Sequence, residues 1–225
     1  MRKFLVILIV AVLTFPAWGQ YMAQDPTRYI PNARVLGLGK AYIGLADDAG
    51  AIYSNPAGLA SIGGWQLSSM SGKFLDEFNY LSFSGLYATQ VGVFGVGFAG
   101  TSISGAYATT IEAGSDPADP IITIDPSQPL MGNYNNALVF SYGNELKKIR
   151  FLDQLPFADR LTFGTNVKMF QVGLYGDGIV GGNASGYELD LGLKLQPPQP
   201  WLSLGITGQN LLPFSMGGKL SYASG

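Results

Sequence analysis

The chain contains no cysteine and no histidine among its 225 residues. Without thiols there is no disulfide framework, no cysteine nucleophile and no thiolate metal site. Without imidazole there is no Ser-His-Asp relay, no histidine general base and none of the usual zinc ligand sets. Charge is scarce as well: Asp, Glu, Lys and Arg make up 12% of the chain, against roughly 25% in a soluble globular domain. A formal net charge of −2 and a pI near 5.0 leave no basic footprint, which argues against a nucleic-acid partner. The remaining absence is a long apolar run. Beyond the first residues, no stretch approaches the ~20 residues that a membrane-spanning helix requires.

What is present is apolar and small. Hydrophobic residues make up 47% of the chain and glycine contributes 31 residues, with a mean hydropathy of +0.21. This composition suits a protein whose outer surface need not meet water but which has no helix to place in lipid. A closed β-barrel meets both conditions, because its backbone polar groups pair between strands while an apolar face meets the bilayer. The opening MRKFLVILIVAVLTFPAWGQ has the layout of a secretory signal peptide. Arg2 and Lys3 precede an apolar run from Phe4 to Leu13, the helix breaker Pro16 follows, and Ala17 and Gly19 offer small residues for cleavage before Gln20. Residues 1–19 are therefore expected to be removed on export.

From Trp65 onward, runs of about ten residues alternate large apolar side chains with small or polar ones, the period-two signature of strands. In GYELDLGLKLQ, residues 186–196, Tyr187, Leu189, Leu191, Leu193 and Leu195 share one face. Glu188, Asp190, Gly192, Lys194 and Gln196 share the other. RLTFGTNVKMF, residues 160–170, sets Leu161, Phe163, Val167 and Met169 against Thr162, Gly164, Asn166 and Lys168, and WLSLGITGQN, residues 201–210, repeats the pattern. Further strands are expected over residues 65–72, 78–87, 91–101 and 135–143. A soluble β-sandwich would carry Lys, Glu, Thr and Arg on its second face. Here that face is mostly Gly, Ser, Ala, Thr and Asn with occasional charges, which fits a packed, narrow interior. Lys168, Glu188, Asp190 and Lys194 are accordingly read as lumen-facing. Trp65, Tyr80, Tyr87, Tyr134, Phe170 and Trp201 are candidates for interfacial girdles. Residues 104–133 read as a long external loop, and Lys147, Lys148 and Arg150 as a charged rim.

The segment before the first strand, LADDAGAIYSNPAGLAS at residues 45–61, carries paired acids and a turn. Gly37-Leu38-Gly39-Lys40 just upstream is not a nucleotide loop, since no Ser or Thr follows Lys40, no third glycine falls at position 42 and no apolar strand leads into Gly37. On a helix, Asp47 and Asp48 would point about 100° apart and would not converge on one proton or ion; a cap or a pairing with a wall cation is expected instead. Asn55-Pro56-Ala57-Gly58 reads as helix-start chemistry, with Asn55 as N-cap and Pro56 at the first helical position. The many small residues would let the segment lie close against a wall.

The stretch ARVLGLGKAYIGLADDAGAIYSNPAGLASI, residues 33–62, resembles the N-terminal box of the PorV/PorQ-type outer-membrane proteins, within the FadL-like long-chain fatty acid transporter group. The resemblance rests on Gly37, Gly39, Ala41-Tyr42, Ala46-Asp47-Asp48-Ala49 and Asn55-Pro56-Ala57-Gly58-Leu59, and extends to the strands FGTNVKMF, ASGYELDLGLKL and PWLSLGITGQNLL. It implies a Gram-negative outer-membrane antiparallel β-barrel of fourteen strands, with residues 20–64 folded into the lumen as a plug and residues 65–225 forming the wall. Gly37, Gly39, Asp47, Asp48, Asn55, Pro56 and Gly58 would then be structural or gating positions. Fourteen strands with turns and a plug need well over ~300 residues, so the chain is expected to be the N-terminal half of such a barrel, the alternative being a smaller, closed eight-stranded one. The implied role is passage of hydrophobic small molecules, or service to surface-protein export through secretion-system partners, with outer-membrane lipid around it and no cofactor or catalytic residue. The alternatives are a structural or adhesive barrel using loop 104–133, and a hydrolase built on the acids Glu188 and Asp190.

Overall fold

The computed structural model describes residues 25–29, 32–38, 41–74, 78–107, 109–127, 130–150, 152–155, 157–176, 182–212 and 221–222. The proposed leader, residues 1–19, lies outside them, as does Gly39. Two parts are seen, a short-helix segment and a large antiparallel sheet. The segment contains helices α1 (Pro26–Tyr29), α2 (Ala33–Gly37) and α3 (Ala51–Ser54), then a 3-10 turn over Pro56–Ser61. The sheet contains β1 (Trp65–Phe74), β2 (Phe78–Thr89), β3 (Gly92–Ala106), β6 (Met131–Glu145), β7 (Leu161–Tyr175), β8 (Ala184–Leu195), β9 (Leu204–Gly208) and β10 (Ser221–Tyr222). Between β3 and β6, the short strands β4 (Thr109–Ile111) and β5 (Ile122–Ile124) form a separate two-stranded ribbon. The 104–133 region is thus not the simple loop expected: its isoleucines and threonines form a small hairpin of their own.

The strands meander in the order β1-β2-β3-β6-β7-β8, with β9 and β10 both pairing β8, and every pairing is antiparallel. The all-β, antiparallel class expected from the alternation is what the structure shows. Among the described residues no helix is long and apolar enough to cross a membrane. Register is fixed locally at the β2–β3 turn, where the Thr89 hydroxyl donates to the Gly92 carbonyl at 2.7 Å. Gly92 has φ 134°, a conformation that a side chain disfavours.

Burial in this sheet is inverted relative to a soluble protein. Along β8, Glu188 and Asp190 are each 1% exposed and Lys194 is 5% exposed, while Tyr187, Leu191 and Leu193 stand 52%, 50% and 47% exposed. On β7, Asn166 and Lys168 are buried between exposed Val167 and Met169. The period-two pattern set the faces correctly, but the face turned away from solvent is the polar one. It is covered by the N-terminal segment, whose Tyr42, Ala46, Ala51, Ile52, Ala57 and Leu59 are fully buried. Phe170 departs from the girdle expectation. It lies on the same face as Lys168 and is 1% exposed, because its even number in β7 turns it inward.

Glycines let the two parts meet. Gly143, Gly164 and Gly192 stand opposite one another on β6, β7 and β8, making a flat strip with no side chains. The Asn55–Leu59 turn sits on that strip, and a Cβ at any of the three would overlap Leu59, Pro56 or Asn55. Gly164→Val should therefore push the segment off the sheet at an overpacking cost of about 1–3 kcal/mol. Limited proteolysis within residues 41–62 should accelerate in that variant and stay unchanged in Met169→Val on the exposed face.

Candidate functional site

The chemistry-bearing side chains gather between the N-terminal segment and the sheet. Lys168 Nζ lies 2.9 Å from Asp25 Oδ2 and 2.9 Å from Asp190 Oδ1, and it donates to Asn210 Oδ1 at 2.8 Å. Asp190 also accepts from Asn166 Nδ2 at 3.0 Å and from the Asn210 backbone N–H at 2.9 Å. Asn166 extends the network by donating to the Ile52 carbonyl and accepting from the Ser141 hydroxyl. Asp25 is tied on its other side to the Thr27 backbone N–H and hydroxyl, and Asn210 Nδ2 donates to it at 3.1 Å. Asn210 holds a left-handed conformation, φ 56°, which asparagine tolerates better than most residues. That turn aims both its N–H and its amide inward. One ammonium thus binds three parts of the chain: the start of the segment, strand β8 and the turn after β9.

Glu188 and Lys194 complete the polar face in different ways. Glu188 stands opposite Lys168 in register but bonds the Leu212 N–H at 3.1 Å through Oε2, and its Oε1 has no protein partner. Lys194 donates to the carbonyls of Leu45 and Ala46 at 2.7 and 2.9 Å, holding the chain just before the paired acids. Lys168, Glu188, Asp190 and Lys194 all lie on the buried face of the sheet, and each bonds the N-terminal segment or residues 210–212 after β9. Neither Glu188 nor Asp190 is open to a substrate: both are buried, and the oxygens of Asp190 are occupied.

Asp47 and Asp48 correct the sequence reading. They lie outside any helix, so the 100° argument does not apply to them. Arg34 Nη1 bonds a carboxylate oxygen of each, at 2.7 Å to Asp48. The pair converges on one cation, and that cation comes from α2 of the same segment, not from the wall. Neither acid caps a helix: Gly50 is the N-cap of α3, with no side-chain cap, and Asp48 Oδ1 accepts the N–H of Gly50 at 2.7 Å within the preceding turn. Tyr42, fully buried, organises the turn. Its hydroxyl donates to Asp48 Oδ1 at 2.7 Å and accepts the N–H groups of Asp47 and Asp48 at 3.1 Å. Burial pushes the Tyr42 hydroxyl well above its ordinary pKa, and the bond to Asp48 adds to this. The Asp47 and Asp48 bonds raise Arg34 in the same way.

Asn55 is fully buried and acts twice. Its Oδ1 accepts the Ala57 N–H at 3.1 Å, capping the 3-10 turn with Pro56 at its start. Its Nδ2 donates to the carbonyls of Ile43, at 2.9 Å, and Leu193, at 3.2 Å, so the cap is also a rivet to β8. Gly58 packs directly on Ala46, leaving no room for a side chain. Gly37 is exposed with open space around it and takes no part. Sequence reasoning missed Asp25, Arg34, Asn166 and Asn210. Only Asn166 carried a signal, since it shares the Lys168 face of β7.

The segment does not cover the inner face of the sheet completely. A cavity of about 310 Å³ opens between it and β1, bordered by Asn32, Arg34, Asp48, Gln66, Ser68 and Met70. A second, of about 150 Å³, lies near Thr27, Val35, Tyr53 and Gln209. No family model, curated protein or solved structure matches this chain, so the site is interpreted from its own geometry.

Two outcomes follow for the buried charges. Lys168→Met leaves Asp25 and Asp190 buried without their cation and should destabilise the fold by about 3–5 kcal/mol. Adding Asp25→Asn and Asp190→Asn should recover part of that loss in denaturant unfolding. The second concerns acid. Burial pushes the Asp25 carboxyl up, but the Lys168 charge and the Thr27, Lys168 and Asn210 bonds outweigh it and hold the carboxyl below its ordinary 3.8. Asp48 is also opposed by burial and is held low by Tyr42, Arg34 and Gly50. A depressed folded-state pKa stabilises fully above the ordinary value and is lost as pH falls through the depressed one. The segment should therefore stay docked at neutral pH and down to about pH 4, then release below it. Protease accessibility of residues 41–62 against pH reads this directly, and Asp25→Asn should flatten the curve.

Proposed function

We propose that this chain forms the wall and lumen plug of an outer-membrane β-barrel of PorV/PorQ or FadL-like type, which passes hydrophobic small molecules when the plug moves and has no catalytic role. The observation that carries this reading is the inverted burial: isolated leucines, valines and aromatics face outward while lysine and carboxylates are packed inside. In water such a face of β7 and β8 is a large exposed apolar patch. In a bilayer it is the ordinary lipid-facing surface of a barrel.

Aromatic placement supports the same reading. Trp65, Tyr87, Phe94 and Tyr142 stand opposite one another in register across β1, β2, β3 and β6. The Phe94 and Tyr142 rings lie 5.1 Å apart, and Tyr142 and Phe163 6.0 Å apart. Such a row at one level of the wall is what an interfacial girdle requires. β3, β6 and β7, each 15 residues long, exceed the ~9–11 residues of a tilted spanning strand, leaving ends to project beyond the bilayer. Open strand edges are disfavoured in lipid, so function requires a closed barrel, with the β1 edge and the β9–β10 edge paired.

As plug, residues 25–62 are held by a few separable fastenings: the Lys168 network, the Lys194 contacts to carbonyls and the Asn55 rivet. The cavity beside β1 marks where the fit is loosest. The transport reading has two tests. Purified protein in detergent should be β-rich by circular dichroism and shift its gel mobility on heating, and a water-soluble monomer would contradict the barrel. Deleting residues 37–60 from the full-length protein in cells should raise uptake of a hydrophobic fluorescent probe severalfold. Unchanged uptake with lost secretion of surface proteins would instead assign the barrel to protein export.

A further inference from the structure

The β4–β5 ribbon stands apart from the sheet. Thr109 pairs with Ile124, Thr110 with Thr123, and Ile111 with Ile122. Period-two alternation therefore puts Ile111, Ile122 and Ile124 on one face, where they are 66%, 64% and 61% exposed. The other face carries Thr110 and Thr123, whose hydroxyls lie 3.3 Å apart. A two-stranded ribbon of three-residue strands is marginal in water, and an isoleucine face left exposed among the described residues, next to open strand edges, invites a further strand.

Charge selects the occupant. No lysine or arginine occurs between Lys73 and Lys147, while Glu112, Asp116 and Asp119 lie in the connection between the ribbon strands. A second copy of this ribbon would bring like charges together. An anionic lipid or lipopolysaccharide surface would be repelled for the same reason. A small cation would meet the acids but leave the isoleucines in water. A polypeptide segment that alternates basic and apolar residues meets both, its apolar side chains covering Ile111, Ile122 and Ile124 while its main chain extends the ribbon.

We propose that the β4–β5 ribbon is a docking edge for an extended, basic and apolar polypeptide segment, bound by strand addition. The inference rests on the ribbon alone and stands whether or not the plug opens for small molecules.

The test uses full-length protein in detergent micelles and a fluorescent synthetic peptide alternating lysine and valine, followed by anisotropy. Binding should weaken at least about tenfold between roughly 50 and 300 mM salt, as screening requires. The triple variant Glu112→Gln, Asp116→Asn, Asp119→Asn should reduce affinity by a similar factor. Ile122→Pro, which removes an N–H and an apolar side chain from the ribbon, should abolish binding while far-ultraviolet circular dichroism stays unchanged. Equal binding of a glutamate–valine peptide, retention of affinity in the triple variant, or dimerisation of the protein through cross-links within residues 109–124 would overturn the proposal. So would vesicles of anionic lipid binding the ribbon in place of the peptide.

Discussion

A single buried ammonium organises this molecule. Lys168 sits mid-strand on β7 and meets two carboxylates, one on the neighbouring strand and one at the start of the N-terminal segment. Burying an unpaired charge is costly, and Asp25 and Asp190 together offset that cost for Lys168. That pairing links docking of the segment to correct β7–β8 register, since a one-residue slip of β8 would turn Asp190 to the face opposite Lys168 and break the pair. Asn210 joins the same centre, so the turn after β9 is fixed by it as well. Docking of the segment and strand register are thus parts of one electrostatic condition.

Around that centre, steric fit does the rest. The glycine strip on β6, β7 and β8 gives the Asn55-Pro56 turn a flat bed, and the alanines and glycines of residues 46–60 bring backbone close to backbone. Close backbone approach lets a few polar contacts suffice: Lys194 reaches the carbonyls of Leu45 and Ala46, and Asn55 reaches Leu193. The same segment also buries Tyr42, Ile52, Tyr53 and Leu59 in one apolar cluster with Leu86, Val93 and Val139 of the sheet, so apolar packing and directional bonds hold it jointly.

Much of this was legible beforehand. Alternation in residues 160–170 and 186–196 separated the two faces of β7 and β8 correctly, because side-chain direction in a strand depends only on parity. Asn55 and Pro56 announced their cap, because capping is a local interaction among adjacent residues. Asp47 and Asp48 were misread because their geometry depends on Arg34, thirteen residues away from Asp47, and on a turn shaped by buried Tyr42. The ribbon within 104–133 was hidden for a related reason: three-residue strands fall below the length at which a pattern is distinguishable from chance.

The sequence by itself determined the strand class, the apolar and polar faces, and the exclusion of thiol and imidazole chemistry, all properties of composition and near neighbours. The tertiary structure alone decided which polar residues become partners. Asp25 and Lys168 are separated by 143 positions, and nothing in either neighbourhood marks one for the other. The partnership exists because sheet register and the path of the N-terminal segment bring the two side chains to the same buried point, where opposite charges must meet.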